Sequence, residues 1–304
     1  MDLIHLIYFV EVARKKSFTQ AAKSLHVSQP AISKVIKTLE GELDTTLLER
    51  TGREILLTDT GEAIFERAQS ILAEMTNLRS ELADITGLKR GKLTFGLPPM
   101  IGARFFPQII SRFKQSYSEI DIQIMEAGSK EVESAIQSGL VELGVVALPL
   151  QGLHFEIFSL LDEPLRVVLP PSHELAQNSE IPLAALHQES FILYRDDFSL
   201  NDLILQECHK AGFEPKIALQ SSQWDFIAEM VSANLGIALL PHTICQELDP
   251  KRFAIARLGQ TVIPWHLAMI WKQGKYLSFA ARQWLTVTKN YFANDLKKQT
   301  PLQY

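Results

Sequence analysis

The sequence has very few cysteines: Cys208 and Cys245 are the two among its 304 residues. Two thiols cannot build the disulfide framework of a small secreted domain, and their spacing matches no metal motif, so we expect neither a metal nor a cofactor. No apolar run approaches the roughly 18 residues of a membrane span. The N-terminus, Met1–His5, also lacks the basic start and the apolar core of a signal peptide. We therefore predict a cytoplasmic protein without a membrane segment.

Motifs of catalysis are equally scarce. The sequence contains neither Gly-x-Gly-x-x-Gly nor a Walker loop, and its one His-Glu pair, His173–Glu174, lacks the second histidine of a zinc protease. Asp196 and Asp197 are adjacent, and we interpret them as a solvated turn or a helix cap rather than as a catalytic pair. We expect no enzyme activity and name no catalytic residue.

Acidic residues are absent from Val12–Leu39, a segment that carries six lysines and arginines. The whole chain has a net charge of −5, but residues 1–58 hold eight basic against seven acidic residues and are slightly positive. A polyanion could therefore dock on the N-terminal part despite the negative total. The alternative is an ordinary solvated face, which a run of charge by itself does not exclude.

The N-terminal part has the pattern of three helices. Residues 3–13 are apolar enough for a largely buried first helix. A capping box, Ser17 with Gln20, begins the second helix. The buried stripe of this second helix consists of Phe18, Ala21, Ala22 and Leu25. Ser28 caps the third helix, and Pro30 lies in its first turn, where a missing N–H costs nothing.

The third helix has two different faces. Its apolar, core-facing side consists of Ile32, Val35, Ile36 and Leu39. Its opposite side is polar and carries Gln29, Ser33, Lys34 and Lys37. Amide, hydroxyl and ammonium groups on a helix that follows a tight turn suit the major groove of DNA. A three-helix bundle with a merely polar surface is the alternative interpretation.

A hairpin and a long helix are predicted next. Residues 50–57 indicate a hairpin that turns at Gly52, a wing that presents Arg50 and Arg53 to DNA phosphates. Thr58 or Thr60 then caps a helix whose apolar residues are spaced by four and three. They form a heptad pattern that consists of Ile64, Ala68, Ile71, Met75, Leu78, Leu82 and Ile85. This pattern predicts a dimerisation seam, and dimers are what helix-turn-helix proteins need to bind two half-sites.

These features coincide with a family signature. The residues that match it in order and spacing are Phe9, Val12, Ser17, Phe18, Ala21, Ala22, Leu25, Ser28–Ser33, Ile36, Leu39, Glu40, Leu43, Leu47, Arg50, Arg53, Thr58 and Gly61. They resemble the N-terminal signature of LysR-type transcription regulators. In that family the DNA-facing positions match Gln29, Pro30, Ser33 and Lys34, and the wing positions match Arg50 and Arg53. We add the neighbouring Ser28 and Lys37 to the predicted contact.

The sequence departs from the signature in two places. Asp44 stands where a glycine is usual before the wing, and Leu48 stands where phenylalanine is usual. The first departure predicts a tilted wing.

From Lys92 onward, strand and helix signals alternate. Strands are predicted at 93–96, 120–125 and 143–147 with helices between them, and this order favours a parallel sheet covered on both faces. The pattern restarts near residue 165, with strands at 165–169, 191–194, 216–220, 236–240 and 264–271 and helices at 200–211, 224–233 and 276–294. Two similar halves suggest a clamshell with a ligand at the carboxyl ends of the strands.

This part resembles the LysR effector domain, which is itself similar to periplasmic binding proteins. The predicted fold class is therefore mixed: an all-α winged helix-turn-helix domain (1–58), a dimerising linker helix (59–88) and an α/β effector domain (89–304). The resemblance implies a first subdomain of 91–164 plus 265–304 and a second of 165–264.

Strand-to-helix junctions are the predicted effector contacts, because free N–H groups and the helix dipole attract anions there. The resemblance places ligands at the same junctions. The candidates are Pro99, Met100, Ile101, Gly128, Ser129, Phe198, Ser199, Ser222, Gln223 and His266. The alternative is that the serines only cap helices. We predict a short organic acid, an anionic carboxylate, as the effector.

The resemblance implies a regulator that binds promoter DNA as a dimer of dimers, a homotetramer, and that contacts RNA polymerase. One alternative is a redox-sensing regulator, since peroxide-sensing members of the family use a cysteine pair in the second subdomain, where Cys208 and Cys245 fall. Buried inert thiols are the more common case. A ligand-binding protein without a DNA role is a further alternative.

Overall fold

The computed structural model describes residues 1–51, 54–85, 91–150, 152 and 154–296. Its tertiary contacts divide the chain into two compact units, Met1–Leu88 with Gln137–Leu140, and Lys89–Ile136 with Val141–Tyr304. The finer boundaries predicted above, after residue 58 and between the two subdomains, stay predictions. In the described part of the chain, no helix has both the length and the apolar character to cross a membrane.

The first unit contains the expected helices and hairpin. They are α1 (Leu3–Lys15), α2 (Phe18–Ser24), α3 (Gln29–Leu43), β1 (Leu48–Thr51), β2 (Glu54–Leu57) and α4 (Asp59–Ile85). The hydroxyl oxygens of Ser17, Ser28 and Thr58 each accept a hydrogen bond from the N–H three residues ahead, at 3.3, 3.4 and 2.9 Å. Each bond satisfies an N–H that the helix itself leaves without a partner, which explains why α2, α3 and α4 begin where they do.

The core of this unit lies between α1, α2, α3, the hairpin and the start of α4. Its buried members are Leu6, Phe9, Val10, Val12, Ala21, Ala22, Ile32, Ile36, Leu39, Leu47, Ile55 and Ala68. Phe9 meets Phe65 of α4 edge-on, with ring centroids 6.4 Å apart. Val35, which we expected in the core, is half-buried.

The predicted seam of α4 divides into two parts. Ala68 is 1% exposed, and Ile64 packs against the same core. The prediction is therefore corrected for these two residues, because α4 begins as the fourth helix of its own unit. The remaining described positions, Ile71, Met75, Leu78 and Leu82, are 42, 37, 61 and 62% exposed. The side chain of Ile85 lies outside the described residues.

Asp44 ends α3 in the left-handed region, with a φ of 48°. This is the conformation for which glycine is usual after a helix, so the family's preference at this position has a backbone cause. The hairpin nevertheless pairs regularly from Leu48 opposite Leu57. The Glu40 carboxylate accepts a hydrogen bond from the N–H of Leu47 at 2.8 Å and thereby fixes the entry to the wing.

Asp44→Gly is expected to raise the free energy of unfolding of the first unit by about 0.5–1 kcal/mol, because a glycine adopts this φ without steric cost. Urea denaturation of the two proteins measures the difference. Asp44→Ala is the matched control and should lower stability, since alanine keeps the Cβ and loses the polar side chain. A less stable Asp44→Gly protein would contradict this account of the cap.

From residue 91 onward the elements alternate as predicted. They are β3 (Gly91–Leu97), α5 (Pro99–Ser116), β4 (Ile120–Glu126), α6 (Ser129–Gln137), β5 (Leu143–Ala147), β6 (Phe155–Leu169), β7 (Ser190–Tyr194), α7 (Ser199–Lys210), β8 (Lys216–Ser221), α8 (Trp224–Ser232), β9 (Ala238–Pro241), α9 (His242–Cys245), β10 (Ala254–Ala256), β11 (Pro264–Lys272) and α10 (Phe279–Asn290). The buried Trp284 of α10 anchors the core, with its ring 4.5 Å from that of Phe95.

The strands β3, β4 and β5 pair in parallel, as predicted, but the main sheet to which they belong is mixed. Its order is β10-β6-β11-β5-β3-β4, with β9 also beside β6. β3 runs parallel to β4 and β5, whereas β11 is antiparallel to both β5 and β6. Signals within single strands cannot show this, because the last strand returns from a distant part of the chain to lie between β5 and β6.

The strand β6 is longer than the sequence indicates. We expected a strand only over 165–169, but it begins at Phe155. Up to Pro164 it pairs with β11, and from Leu165 it pairs with β9 and β10. Its first part carries acidic residues and is largely exposed, so it lacks the apolar pattern of a buried strand. The strands β6 and β11 thus connect the two halves of the effector unit.

Candidate nucleic-acid interface and effector cleft

The outer face of α3 forms a shallow concave surface. It is lined by Gln29, Pro30, Ser33, Lys34, Lys37 and Thr38. This face points outward because the opposite side of α3 buries Ile32, Ile36 and Leu39. Lys34 and Lys37 are exposed, and in the described part of the chain neither ammonium has a carboxylate partner. The structure therefore brings five of the predicted DNA contacts together, with Ser28 at the helix cap beside them.

The wing arginines are less fully described. The backbone of Arg50 pairs with Ile55 in the hairpin. Its side chain and the whole of Arg53 lie outside the described residues. Their contacts with DNA stay predictions.

Several polar contacts join the two halves of the effector unit across the predicted cleft. The Tyr194 hydroxyl donates to the sulfur of Met100 at 3.4 Å. The Lys130 ammonium donates to the carbonyl oxygen of Asp196 at 2.6 Å and lies 2.7 Å from the Asp202 carboxylate. These contacts connect α5 and α6 on one side with β7 and α7 on the other.

A buried carboxyl, that of Glu163, joins β6 to α9. Glu163 on β6 is 5% exposed. Its oxygens accept hydrogen bonds from the Thr243 N–H at 3.2 Å and from the Thr243 hydroxyl at 2.5 Å. Burial raises the pKa of Glu163 above its usual range, against the effect of the Thr243 bonds. Sequence reasoning missed this pair because its partners are far apart in the chain.

Three predicted effector residues line one cavity. Pro99, Met100 and Gln223 surround a space of about 430 Å³. The rest of its lining consists of apolar residues of β3, α5 and β4, Trp224 and the two acidic residues Glu126 and Asp225. The start of α5 and the start of α8 therefore lie near each other, as the clamshell hypothesis requires. The neighbouring Ser222 is half-buried and does not line this cavity.

Other candidate effector residues are buried in the core or already hydrogen-bonded to the backbone. Ile101 is 1% exposed and belongs to the core, so its predicted contact with an effector is corrected. Phe198 is also in the core and stacks on Tyr194 at 6.0 Å between ring centroids. The hydroxyl oxygen of Ser129 accepts a hydrogen bond from the Ala147 N–H at 3.0 Å.

His266 lies apart from the other candidates. It lines a separate concave surface with Leu148, Pro149, His154 and Asp162. Its Nε2 is hydrogen-bonded to the Ser159 hydroxyl. The structure therefore does not bring His266 together with the helix starts, which line a different cavity.

The start of α7 has polar atoms without partners. Ser199 and Asn201 are 6 and 3% exposed. The hydroxyl oxygen of Ser199 and the amide oxygen of Asn201 are buried and have no hydrogen-bond partner in the described part of the chain. Buried polar atoms are usually satisfied, so an unmet pair at a helix start indicates a place for a ligand group or a water.

The start of α6 lies against the loop between β7 and α7. A Cβ at position 128 would lie 2.8 Å from the carboxylate oxygen Oδ2 of Asp197. Arg195 donates two hydrogen bonds to the Asp197 carboxylate, at 2.9 and 2.6 Å. Asp197, which we interpreted as a solvated turn or a helix cap, lies in this loop as the ion-pair partner of Arg195.

The two thiols are buried. Cys208 on α7 is 0% exposed and Cys245 on α9 is 2% exposed. Burial raises the pKa of Cys208 to about 12 and raises that of Cys245 further. Within the described residues, no group of three His, Cys, Asp or Glu side chains is placed to hold a metal ion.

Two family descriptions match the chain. Residues 3–62 match the "Bacterial regulatory helix-turn-helix protein, lysR family", and residues 86–293 match the "LysR substrate binding domain". A Bacillus subtilis protein described as an uncharacterized HTH-type transcriptional regulator, YwbI, is 50% identical over 98% of this chain and 99% of its own length. The Escherichia coli DNA-binding transcriptional dual regulator OxyR is 31% identical over 79% of each chain. These relatives are transcription regulators, not enzymes.

Solved structures give the same result for the fold. Full-length OxyR from Pseudomonas aeruginosa has a TM-score of 0.71 at 26% identity and covers 97% of this chain and 95% of its own. CbnR, a LysR family transcriptional regulator solved with its target DNA, has a TM-score of 0.66 at 23% identity over 95% of this chain and 99% of its own. The predicted order of a helix-turn-helix domain followed by a two-subdomain α/β domain is confirmed.

Proposed function

The chain belongs to the LysR family of bacterial transcription regulators, and we propose that it binds promoter DNA as a dimer of dimers and responds to a short organic acid. Membership establishes a DNA-binding regulator with an effector-binding domain. Two separate observations support the finer proposal: the open polar face of α3 and the buried Ser199 hydroxyl at the start of α7, which has no hydrogen-bond partner in the described part of the chain. We place its action in the cytoplasm, where a bacterium holds its chromosome.

The proposed DNA contacts are of two chemical kinds, those to base edges and those to phosphates. Gln29 and Ser33 carry the groups that read base edges in the major groove, whereas Lys34 and Lys37 supply charge to the phosphates. Ser28 and Pro30 set the start of the helix against the backbone of the duplex. Arg50 and Arg53 of the wing add two further phosphate contacts.

The dimer forms along α4 from Ile71 onward. Ile71, Met75, Leu78 and Leu82 form an exposed apolar stripe, and a second copy of the same helix covers such a stripe by symmetry. Sensor domains supply the second contact of the tetramer. The edge strand β4, the strand β8 and the helix α8 expose Ile124, Ile217 and Phe226, which are 44, 45 and 42% exposed.

The effector acts through the arrangement of the tetramer. Its carboxylate binds at the start of α7, where Ser199 and the helix dipole favour an anion. An effector changes regulation only if it binds one arrangement of the tetramer better than another. The favoured arrangement then alters DNA bending and the contact with RNA polymerase.

A panel of short organic acids tests the effector part by melting temperature. One acid should raise the melting temperature of the wild type, and Ser199→Val should abolish the rise because the buried hydroxyl is lost. Ser172→Ala is the matched control, since its hydroxyl bonds Asn234 at 2.9 Å elsewhere on the unit. No shift with any acid would rule out this class of effector.

The thiol arrangement predicts no peroxide response. Because the thiolate is the reactive form, burial that raises the pKa of Cys208 to about 12 leaves almost none of that thiol reactive near neutral pH. Peroxide treatment should therefore leave DNA affinity in a gel-shift assay unchanged. The double variant Cys208→Ser/Cys245→Ser should behave like the wild type. A peroxide effect that disappears in the double variant would establish the redox alternative instead.

A further inference from the structure

One residue of the first unit connects three of its elements. Leu47 is 0% exposed and directly precedes β1, the first strand of the wing. Its N–H donates a hydrogen bond to the carboxylate of Glu40 on α3 at 2.8 Å. Its carbonyl oxygen accepts a hydrogen bond from the N–H of Thr58, the residue before α4, at 3.1 Å. The backbone of Leu47 thus joins α3, the wing and the start of α4.

The carbonyl oxygen of Leu47 also lies directly against the first turn of α4. A Cβ at position 61 would be 2.0 Å from this oxygen, so only Gly61 permits the contact. The Thr58 hydroxyl donates to the carbonyl oxygen of Thr46 at 2.8 Å and accepts from the N–H of Gly61 at 2.9 Å. These contacts fix α4 against the chain that enters the wing. We call Glu40, Leu47, Thr58 and Gly61 the Leu47 junction.

Glu40 is the member of the Leu47 junction that belongs to α3. Its Oε1 accepts a second hydrogen bond, from the N–H of Leu48 at 3.3 Å. Its main-chain oxygen accepts from the N–H of Thr45 at 3.1 Å. An N–H at a buried residue such as Leu47 is rarely left without an acceptor. The bonds to Glu40 therefore select one position of the wing, and with it of α4, relative to α3.

The other end of α4 carries the proposed pairing surface. This helix runs from Asp59 to Ile85, and its exposed apolar stripe consists of Ile71, Met75, Leu78 and Leu82. A continuous helix transmits a change of angle along its length as a rigid element. Because the Leu47 junction ties the first turn of α4 to α3, the angle at which two copies of α4 pair sets the separation of the two copies of α3.

We propose that Glu40 is a positioning residue, which links α3 to α4 through Leu47 and thereby fixes the spacing of the two half-sites that a dimer accepts. The inference rests on the proposed function, in which α3 enters the major groove and α4 pairs with a second copy. It goes beyond that function by assigning the selection of half-site spacing, which is a geometric property of a dimer, to one side chain outside the polar face of α3.

Duplexes of different half-site spacing test the proposal in gel-shift titrations of the full-length protein. The first probe is the duplex that the wild type selects from a random pool, and the second carries two additional base pairs at its centre. The insertion rotates one half-site by about 70° around the duplex, so the wild type should bind it at least about tenfold more weakly. Glu40→Ala should bind the two duplexes within about threefold of each other, because its α3 can reorient against α4.

Glu40→Gln and Glu42→Ala are the controls. Glutamine keeps an acceptor oxygen at the length that reaches Leu47, so Glu40→Gln should retain most of the discrimination between the duplexes. Glu42→Ala removes the same charge from α3, but the Glu42 carboxylate pairs with the Met1 ammonium at 3.0 Å, so this variant should discriminate like the wild type. A purely structural role of Glu40 would lower the affinity for both duplexes by the same factor. Equal discrimination by Glu40→Ala and Glu42→Ala would overturn the proposal.

Circular dichroism establishes beforehand that each variant folds. If Glu40→Ala does not fold, Glu40→Asp takes its place, since it keeps the charge on a side chain that is shorter by one methylene. It must then discriminate less than Glu40→Gln, and equal ratios would overturn the proposal. A wild type that binds both spacings equally would contradict the proposed binding to two half-sites, and the inference with it. A wild type that discriminates, with a Glu40→Ala protein that discriminates equally well, would remove only the role of Glu40.

Discussion

Leu78→Glu/Leu82→Glu is expected to split the tetramer into dimers and to lower operator affinity by at least about a hundredfold. The two leucines are 61 and 62% exposed in the single chain, which suits a surface that a partner helix covers. Burying one leucine side chain contributes about 1.5–3 kcal/mol, and each pair of helices buries four of them. Glutamates in their place would also have to be buried as charges.

Light scattering measures the mass, and a gel shift measures the affinity. Leu78→Met/Leu82→Met is the conservative control and should keep both, because methionine preserves volume and apolar character. A glutamate variant that remains tetrameric with full affinity would show that α4 does not carry the seam.

The same helix offers a contrast at Ala68. Because Ala68 is buried in the core of its own unit, Ala68→Glu should unfold that unit rather than separate subunits. Circular dichroism separates the two effects. This contrast tests the division of α4 into a core part and a pairing part.

Gln29→Ala and Ser33→Ala are each expected to lower the preference for the operator over unrelated DNA by about 5- to 150-fold, which corresponds to about 1–3 kcal/mol per base contact. Affinity for unrelated DNA should stay nearly constant, since the phosphate contacts remain. Lys34→Ala and Lys37→Ala should instead weaken binding to all DNA and reduce the salt slope by about one each.

Gel-shift titrations on operator and scrambled duplexes at several salt concentrations separate the two classes. Ser70→Ala is the control on α4, because its hydroxyl donates to the backbone oxygen of Glu66 at 3.0 Å, away from the α3 surface. It should change neither preference nor slope. A Gln29→Ala protein with unaltered preference would refute the placement of α3 in the major groove.

An element of this chain could be predicted from sequence when the interaction that fixes it joins residues close together in the chain. Caps such as Ser17, Ser28 and Thr58 act within three residues, so the helix starts of the first unit were predicted correctly from sequence. The first half of β6 was missed because it carries exposed, acidic residues, and the antiparallel pairing of the correctly predicted strand β11 was missed because it joins distant parts of the chain.

The effector cleft shows the same limit. The sequence predicts effector contacts at helix starts, and three of the predicted residues, Pro99, Met100 and Gln223, do line one cavity. The close approach of Asp197 to Gly128 at the start of α6 could not be predicted, because it joins two distant parts of the chain. Likewise Ile101 has an apolar side chain at a helix start, and only the packing shows that it belongs to the core.

The central claim is that one protein reads promoter DNA and reports a small acid, and a nuclease footprint with and without the acid tests it most directly. The target is the DNA upstream of its own gene and its neighbours, at moderate salt, with a panel of short organic acids. The account predicts a long footprint, as expected of a tetramer on two half-sites, that shortens or shifts with one acid. A footprint that no acid changes would contradict the effector mechanism, and no protection at any of these sites would contradict binding to its own promoter region.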